Sequence, residues 1–392
     1  MKINEILKPT FWKIVAVIFI TIGLYSTILR FTKGLGAATH LYDTVPWGLW
    51  IGFDFLGVGL AAAGFTIAAT VHIFNFHKFE PLVRPAILTA FLGYSLVVGL
   101  LIVDLGRPEN FWHPLVMWNI HSVMFEITWC IICYSTVLML EFAPVVLEKF
   151  KIKAPVKILK KISIPIVIAG VLFSTLHQSS FGSLYLIVPG RLHPLWYSSL
   201  LPIQFYVSCI GAGLSMIIFE SYLNVRAFNT GIKLEILSTI SVIVLIDLIA
   251  GFLIKFFDLF ATGKLAYLII PSTETYLFYF EILIGTFIPI YLLSYKKYRE
   301  DKKWLYIISI FVISGFILNR MNVSITGLAA SSGKNYFPSF DEISITMMLV
   351  VLAMFAFNLI VKNFPVFTEE NGNNELMKKE FSSKPKKLIL SE

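Results

Sequence analysis

Long apolar runs, separated by short polar and charged segments, dominate the chain. Runs near 11–29, 48–74, 82–103, 119–141, 162–178, 199–223, 234–257, 275–295, 304–320 and 342–361 each approach the roughly 20 helical residues that cross a hydrocarbon core of about 30 Å. The pattern predicts an all-α polytopic membrane protein of about ten spans. The fifth run is the weakest signal, because Pro165 lies near its start and Leu184–Val188 forms a further apolar stretch beyond it. Residues 1–366 read as the transmembrane domain. Residues 367–392, polar and rich in Lys, Glu and Ser, read as a disordered cytoplasmic tail. The lysine-bearing N-terminus runs into the first span without a small-residue cleavage site, so it reads as a retained span and not a removed signal.

Composition sharpens the class. With 57% hydrophobic and 14% charged residues, the chain lies far outside the range of soluble domains. The net charge of +8 is placed by alternation. Lys and Arg crowd the N-terminus, the second loop (Lys78, Arg84), the fourth (149–161), the sixth, the eighth (296–303) and the tail. The intervening loops hold Arg30, Lys33, Arg107, Arg191, Lys255, Lys264, Arg320 and Lys334. By the positive-inside rule both termini face the cytoplasm, in the cytoplasmic (inner) membrane. The basic surplus is thereby used up, and no nucleic acid is expected. The loops assigned to the outside carry Gly, Pro and aromatic residues, a composition suited to docking a partner. Cys130, Cys133 and Cys209 lie inside apolar runs, which gives no disulfide framework and no iron-sulfur motif. A cluster must sit in a partner.

Ionisable groups within spans are costly and face a bundle interior. Near the outer side fall Asp54, Asp104, Arg107, His121, Glu126, His177, Gln178, Gln204, Glu281 and Arg320; deeper lie His72, Glu141, Glu220 and Asp247. Asp54 and His72, 18 residues apart on span two, share a helical face about 27 Å in length, and the small residues between them suit helix packing. On span four, Ser122 and Glu126 stand one turn apart and Glu141 continues the stripe. That stripe is either a proton route or a cap at one end and a snorkelling group at the other. Two b haems would need two histidine pairs at two depths, and the chain offers His72 on one side with His121 and His177 on the other. One haem between His121 and His177 stays open as an alternative. The favoured reading expects no haem or metal.

The run Asp104–Phe150 carries a more specific signal: Leu105-Gly106-Arg107-Pro108, Phe111-Trp112, Trp118-Asn119, His121-Ser122-Val123-Met124-Phe125-Glu126 and Leu140-Glu141-Phe142. A second stretch has Ser174-Thr175-Leu176-His177-Gln178-Ser179-Ser180 and His193-Pro194-Leu195-Trp196-Tyr197. Together these resemble the NrfD/PsrC family of polysulfide-reductase-type membrane subunits, and within it the HybB branch, the integral membrane subunit of nickel-iron hydrogenase. The resemblance covers about a fifth of the chain. It implies a haem-free subunit that exchanges electrons between menaquinone or ubiquinone and an iron-sulfur partner on the outer, periplasmic face, where a catalytic subunit also assembles. It also implies two four-helix bundles related by pseudo-symmetry, plus two extra helices. Gly57-Val58-Gly59-Leu60 and Gly211-Ala212-Gly213-Leu214, four spans apart, faintly echo that repeat.

Quinone chemistry moves two electrons with two protons, so its pocket needs proton carriers and polar groups for the carbonyls. The expected quinone-binding and proton-transfer set is Asp54, Arg107, His121, Ser122, Glu126, His177 and Gln178. The expected proton path is His72, Glu141, Glu220, Asp247 and Glu281. Two alternatives stand: a haem b-containing cytochrome anchor, and a secondary transporter using Asp54, Glu126, Asp247 and Glu281 as ligands. Transporters often carry broken helices near the midplane, and no central Gly/Pro break recurs in two spans here.

Overall fold

The computed structural model describes residues 11–228, 232–333 and 336–366. Among them are ten helices long and apolar enough to span a membrane: α1 Phe11–Lys33, α2 Leu49–His72, α3 His77–Asp104, α4 Val123–Lys149, α5 Ser163–Leu186, α6 Leu201–Arg226, α7 Leu234–Ala261, α8 Thr273–Ser294, α9 Lys302–Ala329 and α10 Phe340–Asn363. The tail expected to be disordered lies outside the described residues. The fifth span is a full helix: Pro165 falls in its first turn, where a missing N–H costs nothing, and Leu184 continues it.

Helix starts follow local chemistry. The hydroxyls of Ser122 and Ser272 and the carboxylate of Asp301 accept from the backbone at the first turns of α4, α8 and α9. Ser339 and Glu342 close a reciprocal capping box on α10. Such caps satisfy backbone donors that a helix end leaves open.

Three spans are irregular, although the sequence shows no recurrent break. At Ala61 and Ala62, α2 tightens, Ala62 N donating to Gly59 O. Wide π-helical turns fall at Leu283–Phe287 in α8 and Asn322–Thr326 in α9. None has a proline at its centre, and the packing explains two of them. Gly285 and Gly315 meet so closely that a Cβ added at Gly285 would lie 2.7 Å from the Gly315 Cα. Gly213 of α6 lies against the α2 irregularity, where a Cβ would come within 2.5 Å of Ala63 N.

Each helix from α2 to α5 packs on the next, and α2 also meets α5; α6 packs on α7 and α9, and α8 bridges α7 and α9. The α5–α6 and α2–α6 contacts join these two sets, while α1 and α10 pair with each other and α10 lies on α3. The α1–α10 pair depends on Gly23, whose Cα side faces Met348, and on Ser26 Oγ donating to Asp341 Oδ1 at 2.6 Å.

Three cations assigned to outer loops sit in helices instead. Arg30 is buried in α1 and donates to the carbonyls of Val103 and Leu105. Lys255 lies in α7 and Arg320 in the core of α9. Each stands near a span end with a partner supplied by another helix, which position in the sequence does not reveal.

Candidate functional site

In the α2–α5 half, Asp54, His177 and Gln178 all reach the core, with exposures of 3%, 0% and 0%. Tyr94 of α3 holds His177 through a 3.0 Å hydrogen bond at Nδ1 and lies within electrostatic reach of Asp54. The far sides of these groups are unpaired: Asp54 Oδ1, His177 Nε2 and Tyr185 Oη have no hydrogen-bond partner. An unpaired buried polar atom costs about 1–3 kcal/mol, so a cluster of them marks a place that water, a ligand or a mobile proton serves. Aromatic faces surround it, with Phe55 and Phe181 centroids 4.6 Å apart and His177 4.5 Å from Phe181.

The rest of the expected quinone set separates from that core. Glu126, exposed in the first turn of α4, accepts from Ser180 Oγ of α5 at 2.6 Å. Ser122 is the α4 N-cap, accepting from Phe125 N. Arg107 and His121 are exposed in the loop between α3 and α4, so the structure does not bring them to Asp54 and His177. That loop is itself apolar, with Phe111, Trp112, Val116, Met117, Trp118 and Ile120 all exposed.

The expected proton path divides into three places. His72 and Glu141 line one cavity of about 300 Å³ between α3, α4 and α5, and Glu148, bridging Arg84 and Lys160, stands at the same cavity. Glu220 accepts from Thr89 Oγ1 at 2.6 Å across the α3–α6 contact. Asp247 and Glu281 line a separate cavity of about 110 Å³ in the α6–α9 half.

Glu281 is the hub of that second half. Its carboxylate takes Lys255 Nζ at 2.7 Å, Trp196 Nε1 at 2.9 Å, Asn319 Nδ2 at 2.8 Å and Asn322 Nδ2 at 2.9 Å. The π-turns of α8 and α9 begin beside Glu281 and at Asn322, a frequent companion of specialised sites. Arg320 stacks on Phe205 at 3.8 Å and donates to Asn319, Ser208 and the Phe205 carbonyl. Gln178 connects the halves: its Nε2 donates to Val58 O at 2.8 Å, and its Oε1 accepts from Cys209 Sγ, which lies 3.5 Å from the Arg320 guanidinium.

Two motif stretches gain a physical role. Leu105 of the LGRP run supplies a carbonyl to buried Arg30. In the HPLWY run, His193 N donates to Gly327 O and Trp196 reaches Glu281, which ties the α5–α6 loop to α9 and α8. Burial lowers the His193 pKa, offset in part by Glu274, which favours a neutral ring. On the same side of the chain, burial and then Glu342 raise the Tyr336 pKa, so its phenol stays protonated and donates to that carboxylate. Sequence reasoning missed Tyr94, Tyr134, Tyr185, Lys255, Asn319 and Asn322; a lysine inside the apolar run of α7 and two asparagines three residues apart in α9 were the available signal for the last three.

Ten candidate spans among the described residues, with a buried polar core and an exposed apolar loop, define a polytopic membrane protein. Residues 37–330 match the family model described as polysulphide reductase, NrfD. The chain belongs to that family. It is 36% identical over 367 residues to a protein of Nitratidesulfovibrio vulgaris, covering 91% of this chain and 94% of that one. It is 31% identical to the probable Ni/Fe-hydrogenase 2 b-type cytochrome subunit of Escherichia coli, covering 91% and 92%. It is 27% identical to the menaquinone reductase integral membrane subunit of Nitratidesulfovibrio vulgaris, covering 93% of each chain. Of the two histidines considered for a single haem, His177 is in the core and His121 is exposed in a loop. Among the described residues no group of three or more His, Cys, Asp or Glu side chains is placed to hold a metal ion.

Proposed function

We propose that this chain is the quinone-facing membrane subunit of a respiratory oxidoreductase of the nickel-iron hydrogenase type, exchanging electrons between an iron-sulfur partner and menaquinone or ubiquinone. The names of its relatives, a hydrogenase subunit and a menaquinone reductase subunit, support the reading. The observation that carries it is the unpaired buried set at Asp54, His177 and Tyr185 inside an aromatic wall. A quinone ring offers two carbonyl acceptors and a π face, and its conversion to quinol takes up two electrons and two protons. Asp54 Oδ1 and His177 Nε2 supply polar contacts that carry protons, with Tyr94 fixing the imidazole so that Nε2 points away from it. The carboxylate of Glu126 at the rim, held by Ser180, exchanges protons with solvent.

The exposed aromatic loop 105–122 is the docking face for the iron-sulfur partner, with the catalytic subunit beyond it, and we place it on the periplasmic side with both termini cytoplasmic. Arg107 on that loop meets the partner's surface. Protons reach the quinone site from the opposite side through Glu141 and His72, where the cavity opens beside Arg84, Glu148 and Lys160.

An azidoquinone photolabel in membranes carrying the assembled complex tests the location of the site. Labelled peptides from α2, α3 or α5 are expected. Labelling confined to α7, α8 and α9 would place the quinone in the other half and overturn the assignment.

A further inference from the structure

The segment that joins α4 to α5 has no role in the reading above. It contains a short surface helix, Lys153–Lys161, with no buried residue. Phe150, Ile152 and Ile158 along it are exposed, so its apolar edge continues the lipid-facing surfaces of the two spans it connects. Beside that edge lies an open groove of about 480 Å³ lined by Lys151, Lys153, Lys157 and Lys160 with Ile152 and Val156. The one carboxylate in it, Glu148, is engaged by Arg84 at 2.9 Å and Lys160 at 3.0 Å. Lys151, Lys153 and Lys157 have no acidic partner among the described residues. Lys151 also adopts φ 57°, a left-handed conformation uncommon for a residue with a side chain, which turns the chain sharply between α4 and the surface helix.

We propose that this groove binds the headgroup of an anionic phospholipid, with its acyl chains lying along the exposed Phe150, Ile152 and Ile158 edge. Three uncompensated ammonium groups facing a groove match a phosphate-bearing headgroup. An amphipathic basic helix at the end of two spans lies at the depth where such headgroups stand. An acidic protein would answer the charge and leave the apolar edge without a function.

The test is native mass spectrometry of the full chain in mild detergent, titrated with phosphatidylglycerol, phosphatidylcholine or inorganic phosphate. The wild type is expected to hold phosphatidylglycerol at a saturable site and to bind phosphatidylcholine far more weakly. The triple variant K151Q/K153Q/K157Q is expected to bind phosphatidylglycerol on the order of 100-fold more weakly, as three lysines at an anionic surface imply. The charge-matched control K296Q/K297Q/K303Q is expected to bind as wild type does. Equal binding of both lipids, or equal loss in the test and control variants, overturns the proposal. So does displacement of the lipid by phosphate at matched concentration, or retention of a protein in the lipid's place. Single substitution K157Q, with the lipid-free unfolding temperature as a check, keeps the test available if the triple variant does not fold.

Discussion

Two buried carboxylates, one in each half of the molecule, are treated in opposite ways, although unpaired atoms such as Arg320 Nε and Ser324 Oγ occur in the second half too. Around Asp54, His177 and Tyr185 in the α2–α5 half, polar atoms face one another's surroundings without partners. Around Glu281 in the α6–α9 half, one carboxylate holds four donors, including Lys255. A fully paired buried charge fixes a structure and resists change of protonation. An unpaired cluster carries a stability cost that a ligand or a moving proton can relieve. On the proposed reading, quinone chemistry belongs to the first half and a charge-balanced frame to the second, with Gln178 and Cys209 at their junction.

The largest expected effect is structural. Glu281→Ala leaves the half-buried Lys255 without its counter-charge and the Trp196, Asn319 and Asn322 donors without their acceptor, and should cost about 3 kcal/mol, read as a lower unfolding midpoint in detergent. Replacing both partners together, E281L/K255M, should recover part of that loss. Asp54→Asn, by contrast, breaks no hydrogen bond at Oδ1 and should leave the midpoint unchanged or raise it. Equal destabilisation by Glu281→Ala and Asp54→Asn would erase the difference between the halves.

The junction comes next. Gly213→Ala puts a methyl within 2.5 Å of Ala63 N and should destabilise by about 1–3 kcal/mol. Gly251→Ala, whose nearest neighbour is Val207 Cγ1 at 3.8 Å, should be tolerated. If the two glycine variants unfold alike, the close approach at the α2–α6 contact is not limiting. Gln178→Leu removes the bonds to Val58 O and Cys209 and should cost about 1–3 kcal/mol for the acceptor left buried.

The smallest effect is at the rim. Glu126→Gln keeps an acceptor for Ser180 and removes only the charge, so quinone-linked turnover of the assembled complex should fall modestly while activity with a soluble artificial acceptor holds. Loss of both activities together would make Glu126 an assembly residue.

The fold was legible because a membrane span announces itself by length and apolarity; all ten were visible, and only their ends and irregularities were not. The turns at Ala61 and Leu283–Phe287 escaped because they arise where Gly213, Gly285 and Gly315 let helices close up, a tertiary cause; nothing in the packing explains the turn at Asn322–Thr326. The candidate site was half legible. Asp54, His177 and Gln178 were visible as polar residues in apolar runs, and the structure buries all three. Arg107 and His121 were grouped with them because the run pattern puts all of them near the outer side and a motif stretch contains these two, yet a helix start and a loop turn carry them to the surface. Tyr94, Tyr134 and Tyr185 were invisible because a tyrosine in a span reads as ordinary packing. Lys255 and Arg320 were taken for loop charges since their partners, Glu281 and the Phe205 ring, come from other helices.

The most direct test compares one aspartate from each half in the assembled complex: quinone-linked turnover divided by soluble-acceptor turnover, for Asp54→Asn and Asp247→Asn. Loss of a positioned proton carrier lowers a rate by about 100-fold or more, so the account predicts a fall of that order for Asp54→Asn and an unchanged ratio for Asp247→Asn. An unchanged ratio for Asp54→Asn, or a larger fall for Asp247→Asn, would contradict it.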